Sequence, residues 1–520
     1  MALRIAVPLF VLAMLTTSCV IWSGNRIFQY EEFFTYYSAS DDSFTNMLAA
    51  NSDGIHASPP AYFILLWIWA RFFGTSELAL RIPSSICLSI AFVLLFRFLS
   101  RAYSVRSAGL GLVFVFCFSS WIVYPNIEAR FYGQFLLVNA IMVLSYQSRH
   151  LSYPPRSTWF VWNGIVHGLA VLTHYFGFCF SAMVLLSAMA QDFVQGRRQT
   201  RFYLSIVVSW LAFVPWIPSL LGQRQRYSTF WLPPPALTDL FEVYKAGLDK
   251  LALPLVLLLA GYFLFVRRLL RSARPGLPAY EDTSASLQRG SVLLALSFFL
   301  VPLIIWGQSR IAFPLFYGKY FMPITIGWAI VLTHIAHLLI DRPERPRSPL
   351  PAGRIWFRRW WWGRLAYIAT LLVMLAFPVF GALTQPRPIM PKMHELGYTS
   401  LPVAIESPHD FFPLSHYLPD GHRYYFILDS ESVQRADSPR RATAIDASMT
   451  SLKRYYPTPQ IVSGEEFLAN HESFLLLDRD FKWSERIMQD PDTYKLLGQF
   501  GQGNESAPIY LVQRGRSQKQ

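Results

Sequence analysis

Charged residues are scarce in this chain. Only 15% of its 520 residues are Asp, Glu, Lys or Arg, whereas soluble globular domains carry roughly a quarter. Hydrophobic residues reach 53% and aromatic residues 16%. This composition excludes an ordinary soluble domain and indicates a membrane protein.

Cysteine is also rare, and its few copies are not arranged in pairs. The four cysteines lie inside or beside apolar runs, without a CxxC pair: Cys19, Cys87, Cys117 and Cys179. Neither a disulfide framework nor a zinc knuckle is therefore expected. The apolar run that ends near Trp22 resembles a signal peptide, but many similar runs follow it. We therefore predict an uncleaved first span.

Acidic residues are fewer than basic ones, 32 against 46, which gives a formal net charge of +14. A basic balance can indicate nucleic-acid binding. Here, however, Lys and Arg lie in short clusters between apolar runs, which is the pattern that sets membrane topology. No nucleic-acid partner is expected.

Long apolar runs are abundant. A helix that crosses the bilayer core needs about 20 apolar residues, and about eleven runs approach this length. They lie near 4–22, 81–100, 107–124, 131–147, 158–173, 175–191, 203–221, 250–267, 290–307, 320–340 and 365–383. The run at 59–74 is shorter and rich in aromatic residues, so it is either a twelfth span or a helix along the membrane surface.

The basic clusters decide between these two interpretations of 59–74. If this run lies along the surface, one side of the membrane collects most of the basic residues. They are Arg4, Arg97, Arg101, Arg106, Arg149, Arg156, Arg197, Arg198, Arg201, Arg267, Arg268, Arg271, Arg274 and the dense stretch 342–364. Because positive residues mark the cytoplasmic face, we predict a surface helix at 59–74 and a cytoplasmic N-terminus. Residues 384–520 then lie outside the cytoplasm.

The region 384–520 is polar and has the pattern of a small α/β domain. Short strands are predicted at 402–406, 424–429, 473–478 and 509–513, with helices near 409–418, 464–471 and 483–490. Strands that alternate with helices are typical of this fold class. The predicted architecture is a multi-pass α-helical membrane domain, 1–383, followed by an extracytoplasmic α/β domain, 384–520.

Two adjacent carboxylates, Glu31 and Glu32, follow the first span. They open the stretch 31–50, which has the pattern of an amphipathic helix or helix pair on the membrane surface. Phe33 and Phe34 are expected to enter the membrane interface. Since carboxylates also stabilise a helix N-terminus, capping is the alternative role for one of the two glutamates.

A second group of polar residues lies at the outer ends of later spans. Glu128 and Arg130 follow the third span, and such residues near hydrocarbon are normally paired or face a polar cavity. His174 lies in a turn between two spans, and Lys319 lies in a later outer loop. The predicted topology puts all of these on the same face as Glu31.

The order of short motifs resembles the GT-C class of polytopic glycosyltransferases that use polyprenyl-phosphate-linked sugars. This class includes the protein O-mannosyltransferases, the aminoarabinose lipid A transferases and the lipopolysaccharide core transferases. The motifs are Glu31-Glu32, Pro59-Pro60-Ala61-Tyr62, Phe72-Phe73-Gly74, Leu80-Arg81-Ile82-Pro83-Ser84, Glu128-Ala129-Arg130-Phe131-Tyr132, Thr173-His174-Tyr175-Phe176, Trp231-Leu232-Pro233-Pro234-Pro235 and Lys319-Tyr320-Phe321-Met322-Pro323. The chain departs from the family where Glu-Glu replaces Asp-Glu, and where Ser58-Pro59-Pro60 replaces His-Pro-Pro, with His56 two residues upstream.

The resemblance implies an inverting transfer of a sugar from polyprenyl phosphate to a lipid, glycan or protein acceptor. The reaction would take place on the extracytoplasmic face of the cell (inner) membrane. By resemblance, Glu31 is the base with Glu32 beside it, and the donor phosphate binds Arg130 and Lys319. Acceptor binding or orientation is expected of the remaining candidates, which are Glu128, His56, His174 and Tyr175. No cofactor follows from the motifs, and the presence of a divalent metal stays open.

Two other classes of function compete with this one. A transporter or flippase for lipid-linked saccharides would also have many spans, but it predicts inverted repeats with broken midplane helices. We find no convincing internal repeat in the sequence. A non-catalytic membrane scaffold leaves the acidic and basic residues of the outer face unexplained.

Overall fold

The computed structural model describes residues 2–151, 157–226, 233–248, 283–312, 314–340, 354–384, 398, 400–429, 443–478, 482–489, 493–500 and 507–514. The predicted span at 250–267 lies outside these residues. Residues 342–353 of the basic stretch 342–364 also lie outside them. The chain divides into two compact units. The first comprises Met1–Gly24, Leu78–Pro215 and Pro234–Gln385, and the second Asn25–Glu77, Trp216–Pro233 and Pro386–Gln520. The domain boundary near 384 stays a prediction.

The first unit is helical throughout its described residues. Its α-helices are Ala2–Asn25, Glu77–Ala102, Val105–Phe118, Ser120–Val123, Tyr132–Leu151, Ser157–Thr173, Gly177–Val194, Thr200–Ser209, Leu237–Ala246, Thr283–Ile311, Ile324–Ile340 and Arg354–Thr384. Short 3-10 turns lie at Pro125–Ile127, Trp210–Trp216 and Gly318–Phe321. The turn Gly318–Phe321 contains the predicted site residue Lys319, and Glu128 directly follows the turn Pro125–Ile127.

Several of the helices are apolar enough to cross a membrane. Within the described part of the chain, five are also long enough: Leu3–Gly24, Glu77–Ala102, Gly177–Val194, Thr200–Gln223 and Ala285–Ile311. A sixth is formed if Val105–Phe118 and Ser120–Ile127, which are bent by 75° relative to each other, count as one span. A helical membrane protein is thus confirmed, whereas the number of spans and their orientation stay predictions.

Small residues allow helices of the first unit to approach closely. A Cβ atom added at Gly111 would lie 2.4 Å from the backbone nitrogen of Thr333, which is closer than atoms can approach. The helices Val105–Phe118 and Ile324–Ile340 therefore need glycine at this point. Close contact through small residues is the usual way in which helices associate inside membranes, where lipid is as apolar as the side chains.

The second unit combines surface helices with a mixed sheet. Its α-helices are Tyr30–Ser40, Phe44–Ser52, Ala61–Phe73, Ile217–Arg226, Pro408–Tyr417, Thr443–Tyr455, Gly464–Asn470 and Lys482–Ile487. A 3-10 turn lies at Gly421–Arg423. Its strands are β1 (Val403–Ile405), β2 (Tyr424–Leu428), β3 (Ile461–Ser463), β4 (Ser473–Leu477), β5 (Tyr494–Phe500) and β6 (Ala507–Gln513).

The sheet has the order β3-β2-β1-β4-β6-β5. The first four strands are parallel to one another, and β6 is antiparallel to both β4 and β5. Its buried core consists of Ala404, Ile427, Val462, Phe467, Phe474, Leu476, Trp483 and Val512. The α/β pattern predicted from the sequence is confirmed, including four of the six strands.

The stretch 31–50 forms a helix pair, as expected, but its aromatic residues do not lie where the sequence analysis put them. Phe33 and Phe34 are buried inside the second unit. Their rings pack on Phe412 of the C-terminal region, at centroid distances of 4.9 and 5.4 Å. The prediction that these two rings enter the membrane interface is therefore wrong, because the amphipathic pattern does not distinguish lipid from a protein partner.

Candidate active site

Glu128 and Lys319 form an ion pair in the first unit. Lys319 Nζ lies 3.1 Å from Glu128 Oε1 and 3.5 Å from Oε2. Glu128 directly follows the 3-10 turn Pro125–Ile127, and Lys319 lies within the turn Gly318–Phe321. Glu128 is only 5% exposed, and a buried carboxylate needs a cation or hydrogen bonds to remain charged. Two of the predicted site residues are thus direct partners in one ion pair.

The segment that carries Glu128 is fixed through its backbone. The hydroxyl of Ser84 lies 2.9 Å from the carbonyl oxygen of Glu128 and 3.1 Å from that of Arg130. A Cβ atom on Gly133 would lie 2.6 Å from the carbonyl oxygen of Ser84, so this close approach requires glycine. The motif that ends at Ser84 therefore holds the motif that contains Glu128 and Arg130.

His174, which belongs to a third motif, lies next to the segments that carry Glu128 and Lys319. Its ring stacks on Phe131 at 4.9 Å and lies 4.4 Å from the ring of Tyr320. The backbone N–H of Phe176 donates a hydrogen bond to His174 Nδ1 at 3.1 Å, so a neutral ring carries its proton on Nε2. Burial and, to a smaller extent, the positive charge of Arg130 lower the pKa of His174 to about 3. In the neutral ring Nδ1 is occupied by the Phe176 N–H, and the ring packs between Phe131 and Tyr320.

Two cations and one carboxylate meet here. The Arg130 guanidinium lies 5.6 Å from the ring of Phe131, and Lys319 Nζ lies 5.8 Å from the ring of Tyr132. Both cationic side chains are half-buried, whereas Glu128 is buried. The residues named here therefore carry a net positive charge in partly desolvated surroundings, where an anionic group is attracted more strongly than in water.

Tyr175 also lies in this unit. It is half-buried, and its ring meets the edge of Phe213 at 5.9 Å. Its neighbour His174 makes the ring contacts with Phe131 and Tyr320 instead. A role for Tyr175 in acceptor binding stays a prediction.

The acidic pair lies in the second unit, where its two members differ. Glu32 is 1% exposed, and its Oε2 accepts the backbone N–H of Gln29 at 2.9 Å. A glutamate at the third helical position that binds the backbone before the helix is one half of a capping box. Glu31 is half-buried. Glu32 therefore has the capping role that was one alternative for the pair, and Glu31 remains the candidate base.

His56 is held inside the second unit. Its Nε2 lies 3.0 Å from Ser38 Oγ. Ser38 belongs to the helix Tyr30–Ser40, which carries Glu31 and Glu32 and is called the acidic helix below. Its ring stacks on Phe63 at 3.6 Å. In the part of the chain that the structure describes, no three His, Cys, Asp or Glu side chains lie close enough together to hold a metal ion.

The structure thus separates the predicted residues into two groups. Glu128, Arg130, His174 and Lys319 come together in the first unit, while Glu31, Glu32 and His56 belong to the second. The sequence does not predict Ser84 and Tyr320 as contacts, although both lie in the family motifs. Phe412, which lies in none of these motifs, is not predicted either.

The chain is similar to several known proteins. Residues 57–219 match the family model of the dolichyl-phosphate-mannose-protein mannosyltransferases. None of the curated proteins matches the chain. Among solved structures, ArnT from Cupriavidus metallidurans bound to undecaprenyl phosphate is similar over 98% of both chains, with 14% identity and a TM-score of 0.54. The apo oligosaccharyltransferase of Archaeoglobus fulgidus is 12% identical over 86% of this chain and 64% of its own, with a TM-score of 0.43.

The fold is therefore that of the GT-C class of membrane glycosyltransferases, with several apolar helices and a C-terminal sheet. The resemblance that the sequence motifs indicate is confirmed.

Proposed function

We propose that this protein is a membrane glycosyltransferase that moves a sugar from a polyprenyl-phosphate donor to a lipid, glycan or protein acceptor. In this proposal the reaction takes place on the extracytoplasmic face and inverts the anomeric centre. The observation that carries it is the ion pair of buried Glu128 with half-buried Lys319 beside Arg130, built from motifs that lie far apart in sequence. The family match and the fold support the same reaction class.

The cations account for the departure of the donor phosphate. When the bond between the anomeric carbon and the phosphate oxygen breaks, the electron pair stays on that oxygen. Fixed positive groups near the developing charge stabilise the transition state more than the ground state. Arg130 offers a planar fork suited to phosphate oxygens, and Lys319 offers a compact charge that Glu128 holds in place.

The acceptor needs a base, for which we assign Glu31. The acceptor hydroxyl or amine loses its proton to the Glu31 carboxylate as its oxygen or nitrogen attacks the anomeric carbon. A single displacement of this kind inverts the configuration at that carbon. Glu32 is less suited because one of its oxygens already accepts the Gln29 N–H.

No step in this mechanism is assigned to a metal ion. His56, which lies nearest to the position of the family histidine in the sequence, is engaged with Ser38 and Phe63. Among the described residues, no group of three His, Cys, Asp or Glu side chains is placed to hold a metal ion. Phosphate is already a good leaving group, so the residues named above are enough for the proposed chemistry.

The test uses the purified protein in proteoliposomes. Radiolabelled polyprenyl-phosphate mannose, glucose and aminoarabinose serve as donors, and a serine- and threonine-rich peptide, lipid A and an oligosaccharide serve as acceptors. We expect one pair to give product that mass spectrometry identifies. Loss of a general base typically lowers the rate by about 10²–10⁴-fold, which is expected for Glu31→Gln. Loss of a transition-state charge contact at Arg130→Ala is expected to cost about 10²–10³-fold.

Two matched controls separate these effects from general damage. Asp42→Asn alters a fully exposed carboxylate that pairs with Arg71. Arg310→Ala removes an exposed guanidinium that donates to the carbonyl of Pro235. Both are expected to transfer sugar like the parent protein. Folded Glu31→Gln and Arg130→Ala variants with full activity would overturn the proposed site, and label that crosses the vesicle without donor consumption would indicate a transporter instead.

A further inference from the structure

The hydroxyl of Tyr417 links two parts of the second unit that are distant in sequence. It donates a hydrogen bond to Glu77 Oε1 at 2.7 Å and accepts one from the backbone N–H of Phe28 at 3.0 Å. A tyrosine hydroxyl is able to donate and accept at the same time. One side chain of the C-terminal region therefore ties both residues.

Those two residues lie near the ends of the segment Asn25–Glu77, which carries Glu31 and Glu32. Holding both ends of a segment at one point removes part of its conformational freedom. The bond to the Glu77 carboxylate is charge-assisted, and such bonds are roughly twice as strong as neutral ones. Phe28 comes two residues before Tyr30, where the acidic helix begins.

The ring of Tyr417 contributes separately from its hydroxyl. It meets the edge of Phe33, the residue after Glu32, at a centroid distance of 6.1 Å. Phe33 also stacks on Phe412 and meets the edge of His416 at 5.4 Å. Loss of the hydroxyl alone would leave these ring contacts in place, so its effect can be measured without disrupting the packing.

We propose that Tyr417 is a positioning residue that fixes the start of the acidic helix and thereby aims Glu31. This inference rests on the proposed function, in which Glu31 takes the proton of the acceptor. A base must lie within hydrogen-bond reach of that proton, and a misplacement of about 1 Å can cost about 10²-fold in rate. The C-terminal region then contributes to catalysis through the geometry of this helix.

The experiment compares full-length Tyr417→Phe with the parent protein, using the donor and acceptor pair that the parent consumes. We expect kcat to fall by about tenfold while KM for the donor is unchanged, because the displaced group is a base and not a donor ligand. The matched control is Tyr425→Phe, which removes a tyrosine hydroxyl from β2 in the same region. It is expected to leave both kinetic constants unchanged.

A second comparison tests the link to Glu77. Tyr417→Phe and Glu77→Ala break the same hydrogen bond, so their effects on kcat should not add in the double variant. Hydrogen–deuterium exchange gives a readout that needs no substrate. Backbone amides of residues 28–40 should exchange faster in Tyr417→Phe, and those of β1 and β4 should exchange as in the parent.

The outcomes distinguish this inference from the proposed function. If Glu31→Gln is inactive but Tyr417→Phe matches the parent in kcat and in exchange, the positioning role is wrong and the function stands. A change confined to the donor KM also overturns it. If the parent consumes none of the donors, the proposed function fails, and unchanged exchange at residues 28–40 would then refute the anchoring by Tyr417 as well.

Discussion

The ammonium of Lys319 lies 3.1 Å from the carboxylate of Glu128, although 191 positions separate them in the chain. The carboxylate is buried, while the lysine side chain is 37% exposed. Water therefore reaches the cation but hardly reaches the anion. Because of this difference in exposure, removing Lys319 is expected to affect stability differently from removing Glu128.

Lys319→Met is expected to destabilise the protein by roughly 1–3 kcal/mol, because it removes a cation that pairs with a buried carboxylate. Adding Glu128→Gln should restore part of this loss, since the double variant no longer buries a charge. Thermal unfolding in detergent measures both effects. The control is Lys245→Met, whose partner Glu242 is exposed, and such surface pairs contribute about 0–1 kcal/mol. Equal effects at the two lysines would contradict the stabilising role of the pair between Lys319 and buried Glu128.

The lowered pKa of His174 predicts how the stability of the protein changes as the pH decreases. Burial and Arg130 lower this pKa from 6.5 to about 3. Between these values the unfolded chain binds a proton that the folded protein does not, so stability falls as the pH decreases from 6.5 towards 3. Above pH 6.5 His174 is neutral in both the folded and the unfolded chain, so it causes no loss of stability there.

His174→Gln should therefore flatten the decrease in melting temperature between pH 7 and pH 4, although it lowers the melting temperature at pH 7 by removing ring contacts. The measurement is a series of melting curves across this range. His56→Gln serves as the comparison in the second unit. A variant that loses stability with acid as steeply as the parent would show that His174 is charged in the folded protein.

A third prediction concerns a buried ion pair among the helices of the first unit. Arg149 and Asp192 are 0% and 1% exposed in their side chains, and their closest atoms lie 2.9 Å apart. The hydroxyl of Tyr203 donates to the other oxygen of Asp192 at 2.6 Å. Three helices are thus held together by one carboxylate.

Asp192→Asn should be strongly destabilising, because breaking a buried pair leaves an uncompensated charge and costs roughly 3–5 kcal/mol. Tyr203→Phe removes only a hydrogen bond to a charged group and should cost about 1.5–3 kcal/mol. Ser148→Ala, which removes a hydroxyl bonded within its own helix, is the control. Yield of folded protein and unfolding in detergent give the order of the three variants. An Asp192→Asn protein as stable as Ser148→Ala would contradict this account.

Much of this fold is readable from the sequence, because apolar length and alternation are local properties. Most of the helices and the strands β1, β2, β4 and β6 follow from them, whereas the helices Leu237–Ala246 and Thr443–Tyr455 are not predicted. Strand β3, Ile461–Ser463, is not predicted either, although it has three residues like the predicted strand β1. Strand β5 is interrupted by a register shift near Gly498, which breaks the alternation that marks a strand.

The site is harder to predict, since pairing between distant residues leaves no local trace. The sequence marks Glu128 and Lys319 separately as polar residues of one face, but not as partners. The residue pattern likewise leaves open which of Glu31 and Glu32 caps the helix, and the hydrogen bond from Gln29 assigns that role to Glu32. The ring contacts of Phe33 are ambiguous in the sequence because lipid and protein select the same apolar face.

The stack of Phe33 on Phe412 provides the last prediction. Both side chains are almost completely buried, at 0% and 1% exposure, and their rings are nearly parallel, at 11°. Phe412→Ala should destabilise the second unit by about 3–5 kcal/mol, as do other deletions of a buried aromatic ring. Part of this loss belongs to the contact with the acidic helix.

A double-mutant cycle isolates that part. Phe33→Ala and Phe412→Ala together should cost less than the sum of the single changes by about 0.5–1.5 kcal/mol, which is the usual worth of an aromatic pair. Phe411→Ala is the matched control, because Phe411 is equally buried but packs on Phe426 of the sheet. Its effect should be additive with Phe33→Ala. Chemical unfolding followed by tryptophan fluorescence measures all five variants, and additivity at Phe412 would mean that the C-terminal region does not support the acidic helix through this ring.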